Sequence, residues 1–78
     1  MTMTVAEAFG QVLKKTRKES GLSQEKLALQ SGLDRTFISL IERGKRQPSL
    51  SSILDISKNL DISADQLIKL TVESLSKL

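Results

Sequence analysis

The sequence predicts an all-α domain of five short helices, on three observations. Apolar residues recur three or four positions apart, and no stretch alternates strictly as a half-buried strand would. Glycines at positions 21, 32 and 44 fall where helices need to stop. Residues with short polar side chains (Ser23, Asp34, Ser49 and Ser63) stand where the following helices need a cap. A chain of 78 residues makes one domain, residues 1–78, and not two. Such a domain buries a modest core and gains from a partner subunit.

In the first helix Val5, Ala8, Phe9, Val12 and Leu13 form one apolar stripe, and Gly21 stops it near Ser20. Ser23 caps a short second helix, Gln24 to Ser31, with Leu27 and Ala28 facing inward. Gly32 takes the left-handed turn, Leu33 plugs the corner, and Asp34 caps a third helix running to about Arg43, before Gly44. The second and third helices joined across Ser31-Gly32-Leu33 make a helix-turn-helix arrangement. Pro48 and Ser49 open a fourth helix, Leu50 to about Leu60, whose apolar positions are Leu50, Ile53, Leu54, Ile56 and Leu60. After the connector Asp61-Ile62, Ser63 caps a last helix, about Ala64 to Lys77.

Composition narrows the function. There is no cysteine and no histidine, which removes thiolate metal sites and the commonest general base. The carboxylates form no paired inward-facing motif and there is no glycine-rich phosphate loop, so neither catalysis, a metal nor a cofactor is expected. With no apolar leader and no apolar run of spanning length, a soluble protein of the reducing cytoplasm is expected, without a membrane partner. The net charge is +3 and unevenly spread. Residues 1–46 hold nine lysines and arginines against five acids, and residues 47–78 hold three against four. An anionic partner would dock on the first part.

On a wheel of about 100° per residue with Arg35 at zero, Ser39, Arg43, Thr36 and Leu40 fall between about 40° and 140°. Phe37, Ile41 and Ile38 fall between about 200° and 300°, with Glu42 beside them near 340°. One face is core. The other carries Arg35, Thr36, Ser39 and Arg43, with no acid to repel phosphate. A solvated polar face is the bland reading. Against it, Arg35 and Thr36 sit in the first turn, which a recognition helix points at base edges, and Lys45-Arg46 follow its end. Leu40 is either a buried edge residue or a contact to a thymine methyl, the former being favoured. Phe37 lies nearer the core and is left outside the DNA contacts.

The stretch LSQEKLALQSGLDRTFISLIERGKRQPSLSSILDISKNLDIS, Leu22 to Ser63, resembles the lambda-repressor-like, or Cro/C1-type, helix-turn-helix family. Within it, DRTFISLIERGKRQPS more narrowly resembles controller proteins of restriction–modification systems. The resemblance implies a five-helix DNA-binding domain of bacterial or phage origin. It implies a transcriptional regulator, a repressor by family habit, that reads a palindromic operator in double-stranded DNA as a homodimer. It implies base reading by Arg35, Thr36 and Ser39, and grip on phosphate or backbone by Ser23, Gln24, Arg43, Lys45 and Arg46. Glu42 matches a glutamate that pairs with an arginine late in the first helix, here Arg17, an ion pair that positions the third helix. Arg17 is also expected close to the DNA backbone.

The last helix has more apolar residues than one face needs. Leu67, Leu70 and Thr71 are assigned to the core. Ile68, Val72, Leu75 and Leu78 form a second stripe, expected at the dimer interface, with fraying or tucking in as the bland alternative for Leu75 and Leu78. Activation would add RNA polymerase as a partner, with exposed Glu25 the candidate contact and a solvated acid its plainer reading. The rival function is an antitoxin-type interaction module that binds DNA secondarily.

Overall fold

The computed structural model describes residues 3–77 and contains α1 (Val5–Glu19), α2 (Gln24–Ser31), α3 (Arg35–Glu42), α4 (Leu50–Ser57) and α5 (Ala64–Ser76). No strand occurs among the described residues. Four helices start where capping oxygens take an orphan N–H: Thr4 for α1, Ser23 for α2, Ser49 for α4 and Ser63 for α5. Thr4 and Glu7 form a full capping box, a T-x-x-E signal additional to the expected caps. Asp34 stands at the cap position of α3 but its side chain makes no cap hydrogen bond. Its carboxylate acts on that helix only through the dipole.

The stops at Gly21, Gly32 and Gly44 are as expected, and all three adopt positive φ. At Gly32 the N–H of Leu33 returns 2.9 Å to the Ala28 carbonyl, closing the turn of the helix-turn-helix. The expected end of the fourth helix is wrong by three residues, since α4 stops at Ser57 and Leu60 lies beyond it. The Asn59 amide explains the break. Its Nδ2 donates to the carbonyls of Asp55 (3.0 Å) and Gln30 (3.2 Å) and to Ser31 Oγ (3.2 Å), tying the end of α4 to the end of α2.

Phe9, Leu13, Leu27, Ile38, Ile41, Ile56 and Leu67 fill the core, with Leu22, Leu33, Phe37 and Ile53 packed around them. Helix α1 lies against α5 on one side and α3 on the other, and α2 packs on α3. Of the apolar positions named for the fourth helix, Leu50 and Leu54 are 69% and 46% exposed. Leu70 is exposed too, whereas Leu67 and Thr71 are buried as assigned. An eight-residue helix has room to bury one face only, and α4 spends that face on Ile53 and Ile56. Among the described residues no helix is long and apolar enough to cross a membrane.

The crossing of α1 over α3 depends on Gly10. A Cβ there would lie 2.9 Å from the Glu42 carbonyl oxygen and closer still to that of Ile41. In an open helix Gly→Ala gains about 1 kcal/mol of propensity. Here the obstacles are backbone atoms of the neighbouring helix, so the overpacking cost of about 1–3 kcal/mol wins. Gly10→Ala is expected to lower the midpoint of urea unfolding; an unchanged or raised midpoint would show that α3 shifts freely.

Candidate nucleic-acid interface

The wheel places Ile38, Ile41 and Glu42 of α3 in the protein, and they are buried. Arg35 and Thr36 open the helix exposed, Ser39 and Leu40 are half-buried, and Arg43 is exposed at its end. The edge reading of Leu40 therefore fits. Lys45 and Arg46 are exposed just beyond. Gly44 at φ +72° makes that compact turn, closed by the Lys45 N–H on the Leu40 carbonyl at 2.9 Å.

The orientation of α3 is set from below by a buried ion pair. Arg17 Nε donates to Glu42 Oε2 at 2.6 Å and its Nη2 to Oε1 at 3.0 Å. Arg17 Nη1 donates to the Leu22 carbonyl at 2.8 Å, and Gln24 Nε2 to Glu42 Oε1 at 2.9 Å. One carboxylate thus joins the end of α1, the start of α2 and the end of α3. Both charged side chains are nearly solvent-free, a state tolerated only because every polar atom is paired. The Arg17–Glu42 pair is where the family resemblance puts it. The Gln24 link had no sequence signal, because it spans 18 residues and two turns.

That link changes what Gln24 can do. One amide N–H is held by Glu42, which leaves its other N–H, its carbonyl oxygen and its backbone N–H. Ser23 Oγ takes the Lys26 N–H at 3.0 Å, so the backbone N–H groups of Gln24 and Glu25 at the positive end of α2 stay open to an anion. Ser23, Gln24 and Arg35 line one shallow depression together with Arg17, which brings the starts of α2 and α3 side by side. Glu25 lines it as well, the one acid facing that spot.

Past α3 the cations differ in their surroundings. Arg43 Nε makes a long 3.4 Å hydrogen bond to the Ser39 carbonyl. Lys45 lies near Glu7, whose carboxyl is held below its usual range by the Thr4 N–H, next by the Thr4 hydroxyl, and more weakly by Lys45. Arg46 folds back so that its guanidinium carbon lies over the Phe37 ring, 5.6 Å from the centroid. A separate groove between α1 and α5, with Val12 and Leu70 among charges of both signs, lies away from the α3 face.

Residues 13–67 match the protein-family model described as helix-turn-helix. Over 72 residues the chain is 44% identical to the control protein C.BamHI of Bacillus amyloliquefaciens, covering 91% of this chain and 89% of that protein. The fold superposes on the crystal structure of the restriction–modification controller protein C.Esp1396I with a TM-score of 0.86 at 36% identity, covering 97% and 99% of the two chains. It also superposes on the C.Esp1396I tetramer in complex with its natural 35 base-pair operator, with a TM-score of 0.83 at 35% identity over 95% and 97% of the chains.

Proposed function

The chain belongs to the Cro/C1-type helix-turn-helix family, and from that premise we propose that it is a sequence-specific regulator of transcription that binds a palindromic operator in double-stranded DNA and controls a restriction–modification system. The observation that carries this reading is the build of α3. Arg35 and Thr36 stand exposed at its first turn, Lys45 and Arg46 flank its end, and the buried Arg17–Glu42–Gln24 contacts fix its direction. In the major groove Arg35 can take guanine O6 and N7 together, and the Thr36 methyl can touch a thymine methyl. Ser39 reads the neighbouring base or its backbone. Ser23, Gln24, Arg43, Lys45 and Arg46 hold phosphates. We assign no catalytic role to these residues and place the protein in the cytoplasm with its DNA.

Selection of bound sequences from a random duplex pool tests this, and is expected to return a symmetric site. If Arg43, Lys45 and Arg46 of two protomers each neutralise a phosphate, the slope of log K against log salt is about −5. Affinity then drops about 10³-fold between 50 and 200 mM salt. A slope near zero would remove the polyanion from the account.

The operator is read by a homodimer whose seam includes α5. Ile68 and Val72 are exposed and Leu75 half-buried, while Leu78 lies outside the described residues. Leu70 and Ser74 mark the side of α5 turned to α1, and Ile68 and Val72 lie roughly 160° round the helix from Leu70. On α4, Leu50 and Leu54 are exposed as well. We take the exposed apolar residues of both helices as the surface that a second copy of the chain covers. To read two half-sites one turn of duplex apart, that dimer has to hold its two α3 helices about 34 Å from each other. Val72→Glu is expected to sediment as a monomer and to lose cooperative operator binding; a variant that stays dimeric would move the seam elsewhere.

A further inference from the structure

We propose that Phe37 is a positioning residue for DNA binding, acting through Arg46 and not through a contact of its own with DNA. The inference rests on the reading of α3 as the groove-binding helix. Phe37 is half-buried, with its inner side packed against the core and its ring under the Arg46 guanidinium. Arg46 is otherwise exposed and has neither an ion-pair partner nor a side-chain hydrogen bond among the described residues. A free arginine on a surface turn samples many rotamers, and immobilising it on a phosphate costs entropy. Stacking on an aromatic face removes part of that freedom before DNA arrives, because the ring attracts the cation while leaving the outward N–H groups unspent. The guanidinium, still exposed, is held over Phe37 at the flank of α3, where a phosphate of the groove wall would run. Lys45, one residue earlier, has no ring beneath it and only the Glu7 carboxylate nearby, so it acts as a point charge. Lys45 and Arg46 thus play different parts, the second preset by its stack and the first not.

The stack is tested first in the free protein. The Arg46 Cδ protons are expected upfield of their random-coil positions in the NMR spectrum and to return there in Phe37→Leu. Unshifted protons in the wild type overturn the proposal, whatever DNA does. The second test is a double-mutant cycle on operator binding at fixed salt. Phe37→Leu is expected to weaken binding about two- to fivefold, since an exposed cation–π contact is small. In an Arg46→Ala background the same substitution is expected to change nothing further. An undiminished loss there means that Phe37 touches DNA or supports the core, and overturns the proposal. Arg46→Lys, which keeps the charge but loses the planar stack, is expected to weaken binding by a similar factor and to be insensitive to Phe37→Leu; sensitivity overturns it. Failure of the wild type to bind any duplex would instead sink the functional reading, leaving the free-protein spectrum to decide the stack.

Discussion

Arg17→Ala and Glu42→Ala are each expected to destabilise the domain by about 3–5 kcal/mol, the usual cost of stripping one partner from a buried ion pair. The geometry explains why the loss falls at the high end for so small a protein. Removing Glu42 leaves the Arg17 guanidinium, whose side chain is 8% exposed, without its carboxylate, and leaves the Gln24 amide without an acceptor. Removing Arg17 leaves a nearly solvent-free carboxylate held by Gln24 alone and uncaps the Leu22 carbonyl. Small domains begin near the low end of the 5–15 kcal/mol range of native stabilities, so either change consumes much of the total. In thermal unfolding followed by circular dichroism, the melting temperature should drop by about 12 °C or more. Combining Arg17→Met with Glu42→Leu puts apolar groups where the charges were, and should melt above either single variant. Single variants that melt within a degree or two of wild type would mean that water reaches the pair.

Arg35→Ala is expected to weaken binding to the selected operator far more than to random duplex. Removing a bidentate pair to guanine costs about 1–3 kcal/mol per half-site, and a symmetric dimer bears that cost twice. The preferred sequence should relax at the position that Arg35 reads. Lys45→Ala makes the contrast. As a phosphate ligand Lys45 should matter about equally on operator and random DNA, and its removal should flatten the salt slope by about one unit for each phosphate it neutralised. The two residues lie ten apart in sequence at opposite ends of α3, both exposed and both cationic. Only their places, one in the first turn of α3 and one past its end, separate reading from gripping. If Arg35→Ala left the selected sequence unchanged, its assignment to base edges would be wrong.

The parts of this arrangement that were legible in the sequence are those written in local chemistry. Gly21, Gly32 and Gly44 with Ser23, Ser49 and Ser63 set the edges of α2, the end of α1 and the starts of α4 and α5, because stops and caps act within four residues. The faces of α3 follow from periodicity, and Arg17 with Glu42 from the family resemblance. What escaped depends on contacts between distant segments. The end of α4 is cut by Asn59 reaching Gln30 and Ser31, with no glycine or proline to mark it. Leu70 reads as core, and Leu50 and Leu54 only as apolar, because hydrophobicity alone does not show which side chains of a helix its own domain covers. Gly10 carries no local mark of its role as the place where two backbones meet. The stack of Arg46 on Phe37 spans nine residues across the Gly44 turn, beyond what any helical wheel shows.

Base reading and phosphate grip both require α3 to lie in the major groove. Titrating the isotopically labelled protein with its selected duplex, and following each backbone amide, tests this most directly. Shifts should concentrate at Ser23 to Glu25 and at Arg35 to Arg46, leaving Gln11, Lys15 and Glu73 in the α1–α5 groove unmoved. Shifts confined to that groove, with α3 silent, would contradict it.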